Sequence, residues 1–257
     1  MKHSTAPRHE DRFAVGYSGR ACGKEVSEDF FDMACPSPKD REARGSVLAL
    51  ADGVSGGSGR RAAETCVRTV LCDFYATPLA WDVARRLDRV IGALNAWLAA
   101  HNVRATESQC MLSTLSVLVL HGARIHAAHV GDSRIYRLRQ GTFEQITRDH
   151  SLVNLYEENP ELAIRFGPPN SNVIVRAVGL RDSVEVDHRK IALEPGDIFL
   201  LCCDGLTDMV DDWMLKEMLL DGANGSLDEC CDTMVRAALS NGGVDNTTVV
   251  LVRVSDA

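Results

Sequence analysis

The sequence predicts an α+β fold, two antiparallel sheets flanked by helices within one domain. Three observations carry this. Short β-like apolar runs recur along the chain, and several of them end on an aspartate. Between residues 114 and 147 three such runs follow one another with only glycine-containing turns. One-sided apolar stripes at helical spacing occupy the stretches around them. At 257 residues, with 45% hydrophobic and 25% charged side chains, the chain can bury the core of one large domain.

Taken in order, Ser46-Val47-Leu48-Ala49-Leu50-Ala51 is the first strong run and leads into Asp52-Gly53. Over residues 60–75, Ala63, Cys66, Val67, Val70, Leu71 and Phe74 recur at helical spacing. Residues 81–101 carry a second stripe of Val83, Leu87, Val90, Ile91, Leu94, Trp97 and Leu98. The runs within 114–147, turning at His121-Gly122 and Gln140-Gly141, predict an antiparallel meander and not an alternating βαβ series. Its second run, 124–130, leads into Gly131-Asp132-Ser133. The least regular segment, 150–175, contains Pro160 and Gly167-Pro168-Pro169-Asn170 and is expected to be a partly helical flap. A run at 198–203 leads into Asp204-Gly205, helices follow at 211–220 and 227–239, and Asp245-Asn246 opens the last run at 247–254. The stripes require the helices to pack on something flat, which the strands supply.

Composition removes several functions. With 28 basic against 36 acidic side chains the formal charge is -8, which disfavours a nucleic-acid grip. No stretch approaches 18 uninterrupted apolar residues, so no membrane span is expected. The first sixteen residues are polar, without the apolar core of a secretory signal, and residues 1–11 are expected to be flexible. The nine cysteines are odd in number and form no C-x-x-C pair, so they read as reduced thiols in a cytoplasmic protein.

The aspartates at strand ends carry the chemistry. An Asp-Gly between apolar runs is a favoured hairpin turn, but that reading demands another strand at once. After Asp52-Gly53 come a Gly/Ser loop and a helix, and after Asp204-Gly205 a short segment and a helix. Carboxylates so placed converge on a sheet edge and suit a hard-cation site. In the first loop, Gly57-Ser58-Gly59-Arg60-Arg61-Ala62 matches G-x-G-x-x-A, but the glycines come too late after the strand for a dinucleotide turn. There is no G-x-S-x-G, and His126 and His129, three apart in a strand, face opposite sides of the sheet. A metal-activated water is the attacking group this residue set favours.

At this point the motifs resemble those of the metal-dependent Ser/Thr protein phosphatases, the protein phosphatase 2C family of bacterial type. In family order they are Ser27-Glu28-Asp29, Asp52-Gly53-Val54-Ser55-Gly56-Gly57, Val130-Gly131-Asp132-Ser133-Arg134, Thr147-Arg148-Asp149-His150-Ser151, Cys203-Asp204-Gly205-Leu206-Thr207-Asp208 and Asp245-Asn246-Thr247-Thr248. The likeness spans about residues 12–254. The stretch near Trp81 and Asn95-Ala96-Trp97-Leu98 is also similar to the phosphatase part of bacterial chains that carry a kinase domain.

The resemblance implies a four-layer α-β-β-α sandwich forming a single phosphatase domain over residues 1–257. It implies two Mn²⁺ or Mg²⁺ ions, with Asp52 bridging them, the Gly53 carbonyl on one, and Asp204 and Asp245 on the other. It implies a third ion at Asp132, shared with Asp204, and a supporting role for Glu28 and Asp29. The reaction so implied is hydrolysis of phosphoserine and phosphothreonine in proteins by a hydroxide bridging two metals. Signal transduction, phosphoprotein substrates, a cognate Ser/Thr kinase and a monomeric state come with it. Two departures motivate an alternative, a non-catalytic phosphatase-like module that binds a phosphoprotein or partner. Lys24 stands where the family has a phosphate-gripping Arg, with Arg20 and Arg44 as substitutes, and Leu112-Ser113-Thr114 replaces Gly-Thr-Thr.

Overall fold

The computed structural model describes residues 8–10, 12–22, 26–54, 58–169 and 173–255. Its strands are β1 (Arg8–Glu10), β2 (Phe13–Arg20), β3 (Phe30–Met33), β4 (Ser46–Ala51), β5 (Leu115–His121), β6 (Arg124–Val130), β7 (Arg134–Arg139), β8 (Thr142–Gln145), β9 (Asp187–Ala192), β10 (Ile198–Cys202) and β11 (Thr247–Val254). The helices are α1 (Pro38–Arg44), α2 (Gly59–Ala76), α3 (Val83–Asn102), α4 (Leu152–Glu158), α5 (Glu161–Phe166), α6 (Asp204–Thr207), α7 (Asp212–Gly222) and α8 (Leu227–Ser240). None of them is long and apolar enough to cross a membrane. The fold is α+β, with two antiparallel sheets flanked by helices, as the apolar patterns predict. The sheets belong to two compact units, 28–133 with 147–191, and 1–27 with 134–146 and 192–257.

The larger unit holds a five-stranded sheet of order β3-β4-β5-β6-β9. Val47, Ala49 and Ala51 alternate on one face of β4, as period-two geometry requires, and join Val117 and Val119 of β5 in its core. The stripes of α2 (Val67, Val70, Phe74) and α3 (Leu87, Ile91, Leu94) complete that core. Asp82 caps α3 by accepting the Arg85 amide at 2.8 Å. All neighbours of β4 run antiparallel, which removes the dinucleotide-binding reading of the glycine loop.

The smaller unit holds a six-stranded antiparallel sheet of order β1-β2-β11-β10-β7-β8. Leu200 and Cys202 of β10 and Val249 and Leu251 of β11 pack with Leu215 and Leu219 of α7 and Cys230, Met234 and Val235 of α8. All nine cysteines are free thiols, and six of them are buried. Burial pushes Cys66 up to about 12 and Cys230 up to about 11, so both behave as apolar filling.

Two expectations need correction. Residues 114–147 do not form one meander. β5 and β6 are a hairpin in one sheet, while β7 and β8 are a hairpin in the other. The turns at Gly122 and at Gln140-Gly141 are where the sequence puts them, with φ of 59°, 48° and 76°. The chain changes sheets instead at Gly131, whose φ of 113° redirects the backbone after β6. The N-terminal stretch is not flexible throughout, because residues 8–10 pair with the outer edge of β2. The rest of 1–11, except residues 8–10, lies outside the described residues.

Candidate metal centre

In the larger unit, Glu28-Asp29 enters β3 and Asp52-Gly53 leaves β4. These strands are hydrogen-bonded neighbours paired at Phe30 and Ala51, so the two acidic segments emerge side by side. Asp29 is buried and Asp52 half-buried, and each has a carboxylate oxygen within 4.8 Å of the other's. Glycine at 59 makes this approach tighter. A Cβ there would stand 2.7 Å from the Gly53 carbonyl oxygen and 2.8 Å from Glu28 Oε1, so the absent side chain lets both oxygens share one small space. α2 begins at that glycine and packs on Gly53, whose own Cβ would lie 2.2 Å from the Gly59 backbone.

Hydroxyls hold the Asp52 peptide. Its N–H donates to Thr114 Oγ1 at 2.9 Å, and its carbonyl accepts from the Thr114 amide and the Ser113 hydroxyl, both at 2.8 Å. The Leu112-Ser113-Thr114 departure therefore keeps both hydroxyls beneath Asp52, and one of the two motives for a non-catalytic module lapses. Thr114 Oγ1 also lies 2.7 Å from Ser133 Oγ, which ties the half-buried Asp132 turn to the same support. The packing there is close, since a Cβ on Gly131 would meet Thr114 at 2.6 Å.

In the smaller unit, Asp204 opens α6 immediately after β10, and the exposed Asp245 precedes β11. A Cβ on Gly205 would stand 2.1 Å from the Asn246 carbonyl oxygen, so glycine alone lets these two loops touch. Cys203 Sγ donates to the Asn246 carbonyl at 3.2 Å and accepts from the Thr248 amide at 3.1 Å. The loops carrying Asp204 and Asp245 are thus laced together. Lys24 and residues 55–57 lie outside the described residues. Arg20 is exposed beside Asp232 at 3.8 Å, and Arg44 donates to the Thr77 carbonyl at 2.6 Å, so both arginines have structural partners.

The donor set fits divalent cations. The ligands that the motifs nominate are carboxylate and carbonyl oxygens, the chemistry Mg²⁺ and Mn²⁺ select. Asn246 Oδ1, next to Asp245, is buried without a hydrogen-bond partner among the described residues, and a cation or its hydration shell would satisfy it. The sequence singles out Ser113, Thr114 and Ser133 only through their motifs; that they hold the Asp52 peptide and the Asp132 turn is not legible locally, because the bonded groups at Asp52 lie some sixty positions away.

Two histidines behind the Asp132 turn are stacked with centroids 4.9 Å apart. Burial and the neighbouring His150 push the His129 imidazole down to about 3, against the opposing bond to the Gly131 carbonyl. Asp187 and Arg176 also act on it, in opposite directions. Because the folded chain resists protonation there while the unfolded chain does not, the unfolded state binds more protons between about pH 3 and 6.5. This contribution is complete above pH 6.5 and is lost as pH falls toward 3, on the order of 5 kcal/mol over the window. Urea denaturation at successive pH values should show that decline, and His129→Gln should flatten it; an unchanged slope in the variant would refute the assignment.

Carboxylates at the ends of neighbouring strands, with glycines that bring carbonyls onto them, suit divalent-cation chemistry, and the family model matched by most of the chain shows that it belongs to the protein phosphatase 2C family. The protein phosphatase 2C family model matches residues 24–240. A serine/threonine phosphatase, Stp, of Listeria monocytogenes is 32% identical over 213 residues, covering 80% of this chain and 83% of the relative. The serine/threonine phosphatase of S. agalactiae superposes with a TM-score of 0.82 at 27% identity, over 95% of this chain and all of that one. The catalytic domain of the phosphatase PstP, solved with two manganese ions, superposes at 0.76 with 28% identity, over 95% of this chain and 99% of the other.

Proposed function

We propose that this chain releases phosphate from phosphoserine and phosphothreonine in proteins with Asp52, the Gly53 carbonyl, Asp132, Asp204 and Asp245 as cation ligands. Metal-dependent protein dephosphorylation is its activity, and Mn²⁺ or Mg²⁺ is its cofactor. The single observation that carries the ligand assignment is the pairing of β3 with β4, which delivers Asp29 and Asp52 within 4.8 Å of each other. A divalent cation between carboxylates so close offsets their mutual repulsion.

When bound, the divalent ions acidify a water and neutralise phosphoryl charge, so no residue of the chain need become phosphorylated. The chain's own part is to hold ligands still. Ser113 and Thr114 lock the Asp52 peptide, α6 presents Asp204 in its first turn, and Gly205 lets the Asp245 loop settle against it. Glu28 and Asp29 add negative charge around the Gly53 carbonyl and Asp52. Lys24 is proposed to grip the substrate phosphate as a point charge.

A cognate Ser/Thr kinase is the proposed source of the phosphorylated substrates. The cytosol is the proposed compartment, in keeping with nine free thiols. Phosphate release from a phosphothreonine peptide in Mn²⁺ buffer tests the reading: multiple turnovers are expected, and binding of the peptide without release would overturn it.

A further inference from the structure

Behind the Asp132 turn, one peptide is gripped on both sides. The Gly131 N–H donates to His150 Nδ1 at 2.9 Å. The Gly131 carbonyl accepts from the His150 amide at 2.8 Å and from His129 Nε2 at 2.9 Å. Gly131 has a φ of 113° and no side chain of its own to anchor the turn, so its position depends on these clamps.

The bonds also decide the tautomer of His150. An amide N–H can only donate, so Nδ1 must offer its lone pair, and a neutral ring then carries its proton on Nε2. Nε2 lies 3.4 Å from Asp187 Oδ1 and 2.9 Å from Arg176 Nη1, while Arg176 Nη1 donates to the same Oδ1 at 2.7 Å. In that form the approach of Arg176 Nη1 to Nε2 is a contact between two donors and not a hydrogen bond, and the Asp187 carboxylate between them is what both can share. Burial pushes its carboxyl up, but His150 and Arg176 outweigh this and hold it below the ordinary range, so it stays an acceptor. His150 also ties the ends of the 150–175 segment together, its carbonyl accepting the Val175 amide at 2.8 Å.

We infer that His150 is a positioning residue for the cation ligand Asp132. The Gly131 N–H on Nδ1 and the Asp187 carboxylate facing Nε2 select the Nε2–H form, and that form holds the Gly131-Asp132-Ser133 turn against the base of the 150–175 segment. The inference rests on the proposed reading of Asp132 as a ligand. It is distinct from the hydroxyl support under Asp52, because it reaches the turn from the flap side.

Three measurements on the full chain test it. Nitrogen-15 NMR of the imidazoles should show His150 protonated at Nε2 only, with slow hydrogen exchange at the Gly131 amide. Asp187→Ala touches neither Gly131 nor Asp132, yet should speed that exchange. It should also weaken Mn²⁺ binding, read from free Mn²⁺ by electron paramagnetic resonance, about 10-fold at the weakest site. His150→Ala should do the same, and His150→Asn, whose amide oxygen can replace Nδ1, should recover part of the loss. Unchanged Mn²⁺ affinity and Gly131 exchange in both alanine variants would overturn the positioning role alone. If the unsubstituted chain showed the tautomer and slow exchange but bound no Mn²⁺, the ligand assignment of Asp132 would fall instead.

Discussion

Asp204→Asn and Asp245→Asn should each lower Mn²⁺-dependent phosphate release about 1,000-fold, a loss of about 4 kcal/mol in transition-state stabilisation. Asparagine keeps the size and one acceptor oxygen but removes the charge that a hard divalent cation selects. The fold should survive, because asparagine leaves the local backbone bonds in place. The Asp204 carbonyl, not its carboxylate, receives the Asp208 amide at 2.8 Å, and Gly205 packs on the Asn246 carbonyl whichever residue stands at 204. Asp245 Oδ1 accepts the Asn246 amide at 2.7 Å, a bond that an asparagine oxygen can also make. Circular dichroism and thermal midpoints close to those of the unsubstituted chain are therefore expected alongside the lost rate. Near-normal turnover in both variants would show that the metal ligands have been wrongly assigned.

Chelation should have an effect of similar size. In excess EDTA the hydrolysis of p-nitrophenyl phosphate should fall to background, and added Mn²⁺ should restore it. A purely structural cation could give that result too, so stability should be followed in the same titration. A ligand that binds only the folded chain stabilises it by about 2.7 kcal/mol per site at a hundredfold excess over Kd. The acidic segments around Asp29 and Asp52 repel one another without a counter-charge, so Asp52→Asn should unfold at a higher temperature than the unsubstituted chain in EDTA, and at a lower one in saturating Mn²⁺. This crossing of the two curves is the signature of a cation held by Asp52. Equal turnover with and without EDTA would sink the mechanism.

Much of the fold was legible because its signals are local. The stripes at 60–75 and 81–101 became α2 and α3 with ends shifted by no more than two residues, since burial of one face sets a helix's extent. What had no stripe went unseen. α1 buries no residue, so nothing in its apolar pattern announces it. β2 contains two glycines and a serine, and it is a strand because β11, more than two hundred positions away, pairs with it along all eight residues.

The change of sheet at Gly131 shows the same divide. Hairpin turns at Gly122 and Gly141 and the turn at Gly131 look alike as short glycine-containing links between apolar runs. Which strand lies beside β6 is decided by pairing partners elsewhere in the chain, not by the link itself.

By itself the sequence determined the chemistry: oxygen donors at strand ends, no nucleophile elbow, and a motif order that points to a metal-dependent phosphatase. Residue type alone selects a hard cation, because carboxylate and carbonyl oxygens suit Mg²⁺ and Mn²⁺ wherever they meet. Only the tertiary structure decided what holds the proposed ligands: Ser113 and Thr114 under Asp52, Asn246 against Gly205, and His150 and Asp187 behind Asp132. A hydrogen bond depends on distance and direction between groups far apart in the chain, and those exist only once the sheets have formed.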